Sequence, residues 1–296
     1  MKRIFFFISL GFIALTSCKS GSRKSSEQDK EGSLKQFEIV EVWRTDTVLM
    51  TPESVILDKK RDILYVSNMN LEARKKDGNG FISRLGKDGK ILDLHWIDGL
   101  SSPKGLAITG DTLYATDVDE IVVMDINKGE IARKIPITGA KMLNDITSDD
   151  EGNLYFADTD ASKIHIYAKG KTSEWLSEGL NGPNGLLADG ERLLVTSQGS
   201  MDFTAIDIRT KSRTLITEGI NRGDGIAFTG IPRYYIVTDW SGEIFMINPD
   251  NTKFSLLNTK EQKTNAADIE FIPEISLLLV PTFSKNCIVA YKLAEK

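Results

Sequence analysis

A short apolar motif recurs six times along the chain and constrains its fold more than any other feature. The copies are LYVSN from Leu64, LYATD from Leu113, LYFAD from Leu154, LLVTS from Leu193, YIVTD from Tyr235 and LLVPT from Leu278. An apolar run and a turn precede each copy, and an alternating run follows it. Four short strands at a period of about 40 residues are typical of a propeller blade. The pattern therefore predicts an all-β, six-bladed β-propeller over residues 37–296.

The two ends of this region indicate how the propeller closes. The last unit supplies IEFIP, SLLLVPT and CIVAYKL and is then one strand short. The run FEIVEVWR, from Phe37 to Arg44, precedes the first unit and has no partner within it. We expect this N-terminal strand to pair with the last blade, because that pairing leaves no open edge in the ring.

The residues before the repeats are typical of an export signal. Lys2 and Arg3 precede a short apolar stretch, and the run LTSC that ends at Cys18 resembles a bacterial lipobox. The resemblance implies a lipoprotein signal peptide at 1–17, lipid attachment at Cys18, and a propeller anchored to the membrane of the bacterial cell envelope, in the periplasm or at the cell surface. An ordinary secretory signal is the alternative. Residues 18–36 have almost no apolar side chains and are expected to form a flexible tether.

Composition limits the classes of partner. The chain has 296 residues, 41% of them hydrophobic, and a net charge of −5. Such a chain can bury a large core, and an acidic surface without a basic, aromatic stripe does not bind nucleic acid. If Cys18 carries a lipid, Cys287 has no partner, so no disulfide is expected. We expect a monomer that binds a small molecule.

One polar residue marks the start of the innermost strand in each unit. These six residues are Glu53, Lys104, Asn144, Asn184, Asp224 and Asp268. Because the blades share a central axis, equivalent positions converge at one mouth of the channel. Each residue alone could instead serve a turn, since Asn-Gly and Asp-Gly are favoured turn pairs. A turn requires neither Glu nor Lys, however, and six polar side chains in a narrow channel need partners or an ion.

The donor types of this ring indicate which ion it would hold. Carboxylate and amide oxygens suit Ca²⁺, and Mg²⁺ next, better than they suit zinc or copper. The two histidines, His95 and His165, fall in an outer strand and a third strand, where we expect ordinary packing or solvent exposure. A divalent cation would polarise a lactone or ester carbonyl, and Asp224 is the candidate catalytic base.

The order of ring residues carries a resemblance to a known family. Glu53, Asn144, Asn184 and Asp224, with NDITSDDEGNLYFAD and PNGLLADGERLLVTS around the two asparagines, resemble the senescence marker protein/gluconolactonase/LRE-like family of regucalcin-type propellers. The resemblance covers Glu41 to Lys292. It implies that Glu53, Asn184 and Asp224 hold a divalent cation and that Asn144 helps to bind metal or substrate.

The chain also departs from that family pattern. Pro52-Glu53-Ser54 replaces the common Glu-Gly-Pro, and Met142 stands where the family often has Arg. Lys104 is unusual in the ring. Its ammonium either contacts the substrate or neutralises Glu53 or Asp268 and weakens a metal site.

The remaining substrate-binding candidates are Asp268 and Trp240. Trp240 is expected to form an apolar wall beside the ring or else to pack only against its neighbours. A basic run, Arg74 to Lys76, lies in a loop on the same face, where it would attract an anionic substrate or remain a solvated loop. Two functions follow: a metal-dependent hydrolase of a lactone-like or ester-like small molecule, or a non-catalytic propeller that binds a ligand or a protein.

Overall fold

The computed structural model describes residues 34–296, and Lys35–Lys296 form one compact unit. The expected signal peptide, Cys18 and nearly all of the expected tether lie outside the described residues. The described part consists of short strands arranged in six four-stranded antiparallel sheets.

The strands follow the six sequence repeats. The first blade contains β2 (Pro52–Asp58), β3 (Ile63–Asn68), β4 (Gly80–Leu85) and β5 (Ile91–Leu100). The second contains β6 (Pro103–Thr109), β7 (Thr112–Asp117), β8 (Glu120–Asp125) and β9 (Glu130–Pro136). The third contains β10 (Leu143–Ser148), β11 (Leu154–Asp158), β12 (Lys163–Ala168) and β13 (Lys171–Leu176). The fourth contains β14 (Pro183–Asp189), β15 (Arg192–Ser197), β16 (Asp202–Asp207) and β17 (Arg213–Glu218). The fifth contains β18 (Gly223–Phe228), β19 (Tyr235–Asp239), β20 (Glu243–Ile247) and β21 (Lys253–Asn258).

The sixth blade is built from both ends of the described chain. It contains β22 (Glu270–Ile272), β23 (Leu277–Pro281), β24 (Ile288–Glu295) and β1 (Phe37–Arg44) in that spatial order. β1 pairs antiparallel with β24, from Phe37 opposite Glu295 to Arg44 opposite Val289. The predicted six-bladed propeller and its closure by the N-terminal strand are therefore confirmed.

The core lies between the blades. Six clusters of buried apolar side chains each join two neighbouring blades. Each sheet is therefore covered on both faces by the adjacent blades, except at its outer strand. At the junction of the first two blades, for example, Tyr65 and Ile82 pack against Leu113 and Val122. This burial on both faces explains why the inner strands read as nearly continuous apolar runs.

The two ends of the central channel differ in what they carry. We call the end at which the innermost strands begin the mouth face; it carries the loops from second to third strands and the segments that lead into each blade. The opposite end, the turn face, carries the turns from first to second and from third to fourth strands. The strand order and direction in all six blades give this division.

Candidate functional site

The structure brings the six predicted ring residues to the mouth face of the channel. Five of them lie second in an innermost strand rather than before it, and Asp268 lies two residues before β22. Glu53, Lys104, Asn144, Asn184 and Asp224 are buried, and Asp268 is half-buried.

A bulge accompanies each of the five in-strand positions. The pairing register shifts between Pro52 and Val55, Pro103 and Leu106, Leu143 and Ile146, Pro183 and Leu186, and Gly223 and Ile226. A bulge leaves residues unpaired and re-aims their side chains. The ring residues are therefore freed from the sheet at the point where the strands come closest to the axis.

The glycines after Asn184 and Asp224 allow close packing between neighbouring strands and do not form turns. A Cβ atom on Gly185 would lie 1.7 Å from the Asp224 backbone oxygen, and one on Gly225 would lie 2.5 Å from the Ile269 nitrogen. Neither glycine has a positive φ. The Asn-Gly and Asp-Gly pairs thus mark the close approach of neighbouring innermost strands, so the turn interpretation of these two dipeptides is wrong.

The recurring motif of the second strands holds the ring in place. In the second and third blades its final aspartate binds the segment that leads into the same blade: Asp117 accepts hydrogen bonds from the Ser101 and Ser102 backbone nitrogens at 2.7 and 2.5 Å, and Asp158 accepts from the Lys141 and Met142 nitrogens. Its threonines reach the next blade, where Thr196 Oγ1 donates to the Asp224 backbone oxygen at 2.8 Å. The backbone at a ring residue is consequently fixed from two blades.

Oxygen atoms of the ring are left without hydrogen-bond partners. Glu53 Oε2 and Asn184 Oδ1 are buried and accept no hydrogen bond from residues 34–296. Asn184 uses its Nδ2 to donate to the Gly223 backbone oxygen at 3.2 Å, while its Oδ1 has no partner. The Asp224 carboxylate likewise receives no hydrogen bond from the described part of the chain. These three residues are the set that the family resemblance assigns to a cation.

A fourth carboxylate, Asp145, belongs to the channel and is not among the residues predicted from the sequence. It follows Asn144, is buried, and its Oδ2 accepts a hydrogen bond from the Leu186 nitrogen at 2.6 Å. Together with Asp268 and Glu270 it lines a channel cavity of about 150 Å³. The bulge beside Asn144 frees two adjacent residues from the sheet, and the sequence carries no signal for that bulge.

Asp268 is held by a residue in which the chain departs from the family pattern. Ser54 Oγ donates to Asp268 Oδ2 at 2.5 Å, across the junction of the sixth and first blades. Burial raises the pKa of Asp268 to about 7 in spite of this hydrogen bond. Asp268 therefore has one of its oxygens engaged within the protein.

The carboxyl groups of the channel disfavour one another's ionisation. Burial and then the charges of Asp224 and Asp268 raise the pKa of Glu53 well above its usual range. Burial and then Asp268 and Asp145 do the same to the pKa of Asp224. A bound divalent ion would favour the ionised forms of these groups, so its binding is expected to release protons.

Lys104 faces a loop at the mouth. Its Nζ donates to the Ala73 oxygen at 2.9 Å, to the Ser102 oxygen at 3.1 Å and to Ser102 Oγ at 3.3 Å, and it forms no ion pair with a carboxylate of residues 34–296. Burial lowers the pKa of Lys104 to about 8, while the charge of Glu53 opposes the shift. Lys104 thus binds the loop at 69–79, and its contact with a substrate stays a prediction.

The basic run of that loop is neutralised by neighbouring loops. Arg74 pairs with Asp160 of the third blade at 2.8 Å, and Lys76 pairs with Asp119 of the second at 2.8 Å. Lys75 pairs with Asp77 within the loop at 3.2 Å. The loop therefore reaches from the first blade across the mouth face to the second and third blades.

Trp240 lies on the mouth face beside the fifth blade. Its ring meets Phe283 edge-on, with centroids 5.1 Å apart, and the Arg222 guanidinium lies 4.2 Å from its centroid. The indole is half-buried. The Trp240 side chain thus packs against its neighbours and also keeps part of its surface accessible.

The histidines and the cysteine lie away from the ring. His95 in β5 stacks on Phe81, and the buried His165 in β12 stacks on Phe156. Cys287 is a buried free thiol. Within residues 34–296, no group of three or more His, Cys, Asp or Glu side chains has an arrangement that would hold a metal ion by itself. A cation site here consequently depends on the amide oxygen of Asn184 as well as on carboxylates.

Comparison with known proteins supports the fold. Neither a protein-family model nor a curated protein matches the chain. Similar solved structures include a streptogramin B lyase, at TM-score 0.65 and 15% identity over 88% of this chain and 98% of that one. A catalytically inactive virginiamycin B lyase from Staphylococcus aureus with quinupristin gives 0.61 and 16% over 88% and 100%, and a nidogen/laminin complex gives 0.61 and 19% over 74% and 84%. At these identities the likeness shows the six-bladed propeller alone.

None of the helical turns found between residues 34 and 296 has the length and apolar character needed to span a bilayer.

Proposed function

We propose that the chain is a divalent-cation-dependent hydrolase of lactone-like or ester-like small molecules. The observation that carries the proposal is the pair of buried oxygens without hydrogen-bond partners, Glu53 Oε2 and Asn184 Oδ1, beside the Asp224 carboxylate. A buried polar group without a partner costs about 1–3 kcal/mol. Ca²⁺, with Mg²⁺ as the second choice, is the hard cation that such oxygens favour.

The ring residues divide the work of such a reaction. Glu53, Asn184 and Asp224 would hold the cation, which when bound supplies Lewis-acid polarisation of a carbonyl oxygen. Asp224 accepts a proton from the attacking water through its second oxygen and returns it to the leaving alcohol oxygen. Asn144 and Asp268, on the third and sixth blades, bind the substrate beside this centre.

The surroundings of the ring support a small substrate. Lys104 holds the loop at 69–79 over one side of the mouth, and Trp240 offers an aromatic surface on the other. Two similar propellers are lyases by name, which supports an enzyme site on this kind of scaffold.

A non-catalytic binding propeller is the second candidate. The ring holds a lysine, and within residues 34–296 no acidic or histidine cluster suffices alone for a metal. One similar structure is a nidogen/laminin complex, so this architecture also serves protein binding in another protein.

Hydrolysis of a panel of lactones and aryl esters separates the two candidates. The full-length chain in detergent should hydrolyse part of the panel, lose the activity in EDTA and regain it with Ca²⁺. Asp224→Asn should lower kcat at least about a hundredfold, because it removes the base. The matched control is Asp207→Asn on the turn face, whose carboxylate serves its own turn. A wild-type chain that hydrolyses nothing, or activity that survives EDTA, would contradict the proposal.

We further propose that the protein is an envelope lipoprotein attached through Cys18. The support is the LTSC run after a short apolar segment. Cys18→Ala should release the chain from the membrane fraction of a bacterial host and remove the lipid mass from its N-terminal peptide. Unchanged fractionation of the variant would refute the anchor.

A further inference from the structure

An arginine on the mouth face has its guanidinium donors free. Arg222 stands two residues before Asp224, in the segment between β17 and β18, and is exposed. Its side chain forms no hydrogen bond or ion pair with residues 34–296, although it lies 4.2 Å from the centroid of the Trp240 ring. Arg74 on the same face, by contrast, donates two hydrogen bonds to the Asp160 carboxylate.

The indole beneath Arg222 is fixed by several contacts. The backbone nitrogen of Trp240 donates a hydrogen bond to the Arg222 backbone oxygen at 2.8 Å. Asn265 Nδ2 donates to the Trp240 backbone oxygen at 3.1 Å, and Phe283 packs edge-on against the indole. A guanidinium stacked on a fixed aromatic ring is held in place by its face, while its planar N–H groups remain at the edge.

The position of Arg222 in the chain brings it next to the ring. It stands two residues before the buried Asp224, and its backbone oxygen accepts a hydrogen bond from the Trp240 backbone nitrogen close to the start of β18. Other basic side chains at the mouth are engaged: Lys104 binds backbone and hydroxyl oxygens, and Lys76 binds Asp119. A negatively charged group entering beside Asp224 would therefore meet the donors of Arg222.

We propose that Arg222, held on Trp240, binds a carboxylate of the substrate beside the ring, so that the substrates are esters or lactones carrying a negative charge. This inference rests on the proposed function. The planar fork of arginine matches a carboxylate with two parallel hydrogen bonds, and its stacked position reduces the freedom lost on binding. Trp240 is then a positioning residue that acts through Arg222.

The test compares two esters that differ in charge. The full-length chain, in detergent and Ca²⁺, is assayed with the para-nitrophenyl monoester of succinic acid and with neutral para-nitrophenyl acetate. Wild type should favour the anionic ester in kcat/KM by about tenfold to a hundredfold. Arg222→Gln should reduce this ratio to near one, chiefly through KM, and Trp240→Leu should reduce it in part.

Arg209→Gln is the matched control, because Arg209 is an exposed arginine on the turn face whose loss changes the net charge equally. It should leave the ratio as in wild type. A wild type without preference, an Arg222→Gln variant that keeps the preference, or an equal loss in Arg209→Gln would overturn the inference.

If the chain hydrolyses neither ester, the proposed function is refuted, but the role of Arg222 in binding an anion is still to be tested. Binding is then measured directly, by calorimetric titration of wild type and Arg222→Gln with methyl hydrogen succinate in its anionic form. Weaker binding by the variant, by about tenfold or more, supports an anion site. Equal binding, or none by wild type at millimolar concentration, overturns it.

Discussion

The aspartates in the turns of the turn face differ from the carboxyl groups of the ring at the mouth face in their hydrogen bonding. On the turn face each of five aspartates accepts a hydrogen bond from a backbone nitrogen of its own turn; they are Asp58, Asp125, Asp149, Asp207 and Asp250. On the mouth face the carboxyl groups of Glu53 and Asp224 are buried, and neither accepts a hydrogen bond from residues 34–296. The turn aspartates are therefore satisfied by their own backbone, whereas Glu53 and Asp224 of the ring are not, although Asp117 on the mouth face also accepts backbone hydrogen bonds.

This difference separates a turn from a site. An aspartate that accepts hydrogen bonds from its own turn stabilises local structure and needs no further partner. A buried carboxyl group without a partner keeps its proton or takes a ligand. The turn aspartates therefore stabilise the fold. The unpartnered carboxyl groups of the ring destabilise it, and a bound cation would offset that cost.

The largest effect is expected from adding one carbon atom at the mouth face. Gly185→Ala would place a Cβ 1.7 Å from the Asp224 backbone oxygen, so the fourth and fifth blades must separate. We expect a loss of about 3 kcal/mol or more in the free energy of unfolding, measured with denaturant in EDTA. On the turn face, Gly170→Asn meets no atom within 4 Å and retains a positive φ that Asn tolerates. Similar losses in both variants would show that close approach does not explain Gly185.

A smaller effect compares one carboxylate from each face. Asp149→Asn should lower the free energy of unfolding by about 1 kcal/mol, because Asp149 Oδ2 accepts from Asn153 Nδ2 and the Tyr155 hydroxyl. Asp224→Asn should cause no loss of stability without metal, because it removes a buried group whose ionised form is disfavoured. Chemical denaturation in EDTA measures both. A greater loss for Asp224→Asn would make Asp224 structural.

The dependence of stability on pH sharpens the comparison further. Burial raises the pKa of Glu270, in the channel cavity, from 4.5 to about 8. The folded state therefore binds the proton more tightly than the unfolded state, so this contribution is full below about pH 4.5 and is lost as the pH rises through about 8. In EDTA the melting temperature of wild type should fall over this window, and that of Glu270→Gln should fall less. Parallel curves would contradict the shift.

The smallest effect concerns the loop at 69–79. Lys104→Met removes the hydrogen bond to the Ala73 oxygen, so the amide of Asn70, bonded to the Met50 oxygen, should exchange its hydrogen about fivefold faster. Lys60→Met on the turn face removes only an exposed pair with Asp111 and should leave this amide unchanged. Unchanged exchange in Lys104→Met would show that Lys104 does not hold the loop.

The fold could be predicted because a repeat is a local pattern. Five units of four apolar runs, a sixth unit of three, and one unpaired run at Phe37–Arg44 determine the number of blades and the closing strand without any knowledge of side-chain contacts. The convergence of six polar residues followed from symmetry about the axis alone.

Contacts between blades could not be predicted in the same way. Asn184-Gly185 looks like a turn in sequence, and only the approach of the next strand shows why glycine is required. Asp145 and Ser54 enter the channel because bulges re-aim them, and the sequence does not mark a bulge. The partner of Lys104 lies on a loop of another blade, whose path depends on ion pairs with the second and third blades.

Calorimetric titration of the full-length chain with Ca²⁺, and then with Mg²⁺, tests the central claim most directly. We predict that wild type binds one divalent cation and releases protons, that Asp207→Asn on the turn face binds it equally well, and that Asp224→Asn binds it at least about tenfold more weakly. Wild type that binds neither ion at millimolar concentration, or an Asp224→Asn variant that binds as wild type does, would contradict the assignment of the mouth ring as a cation site.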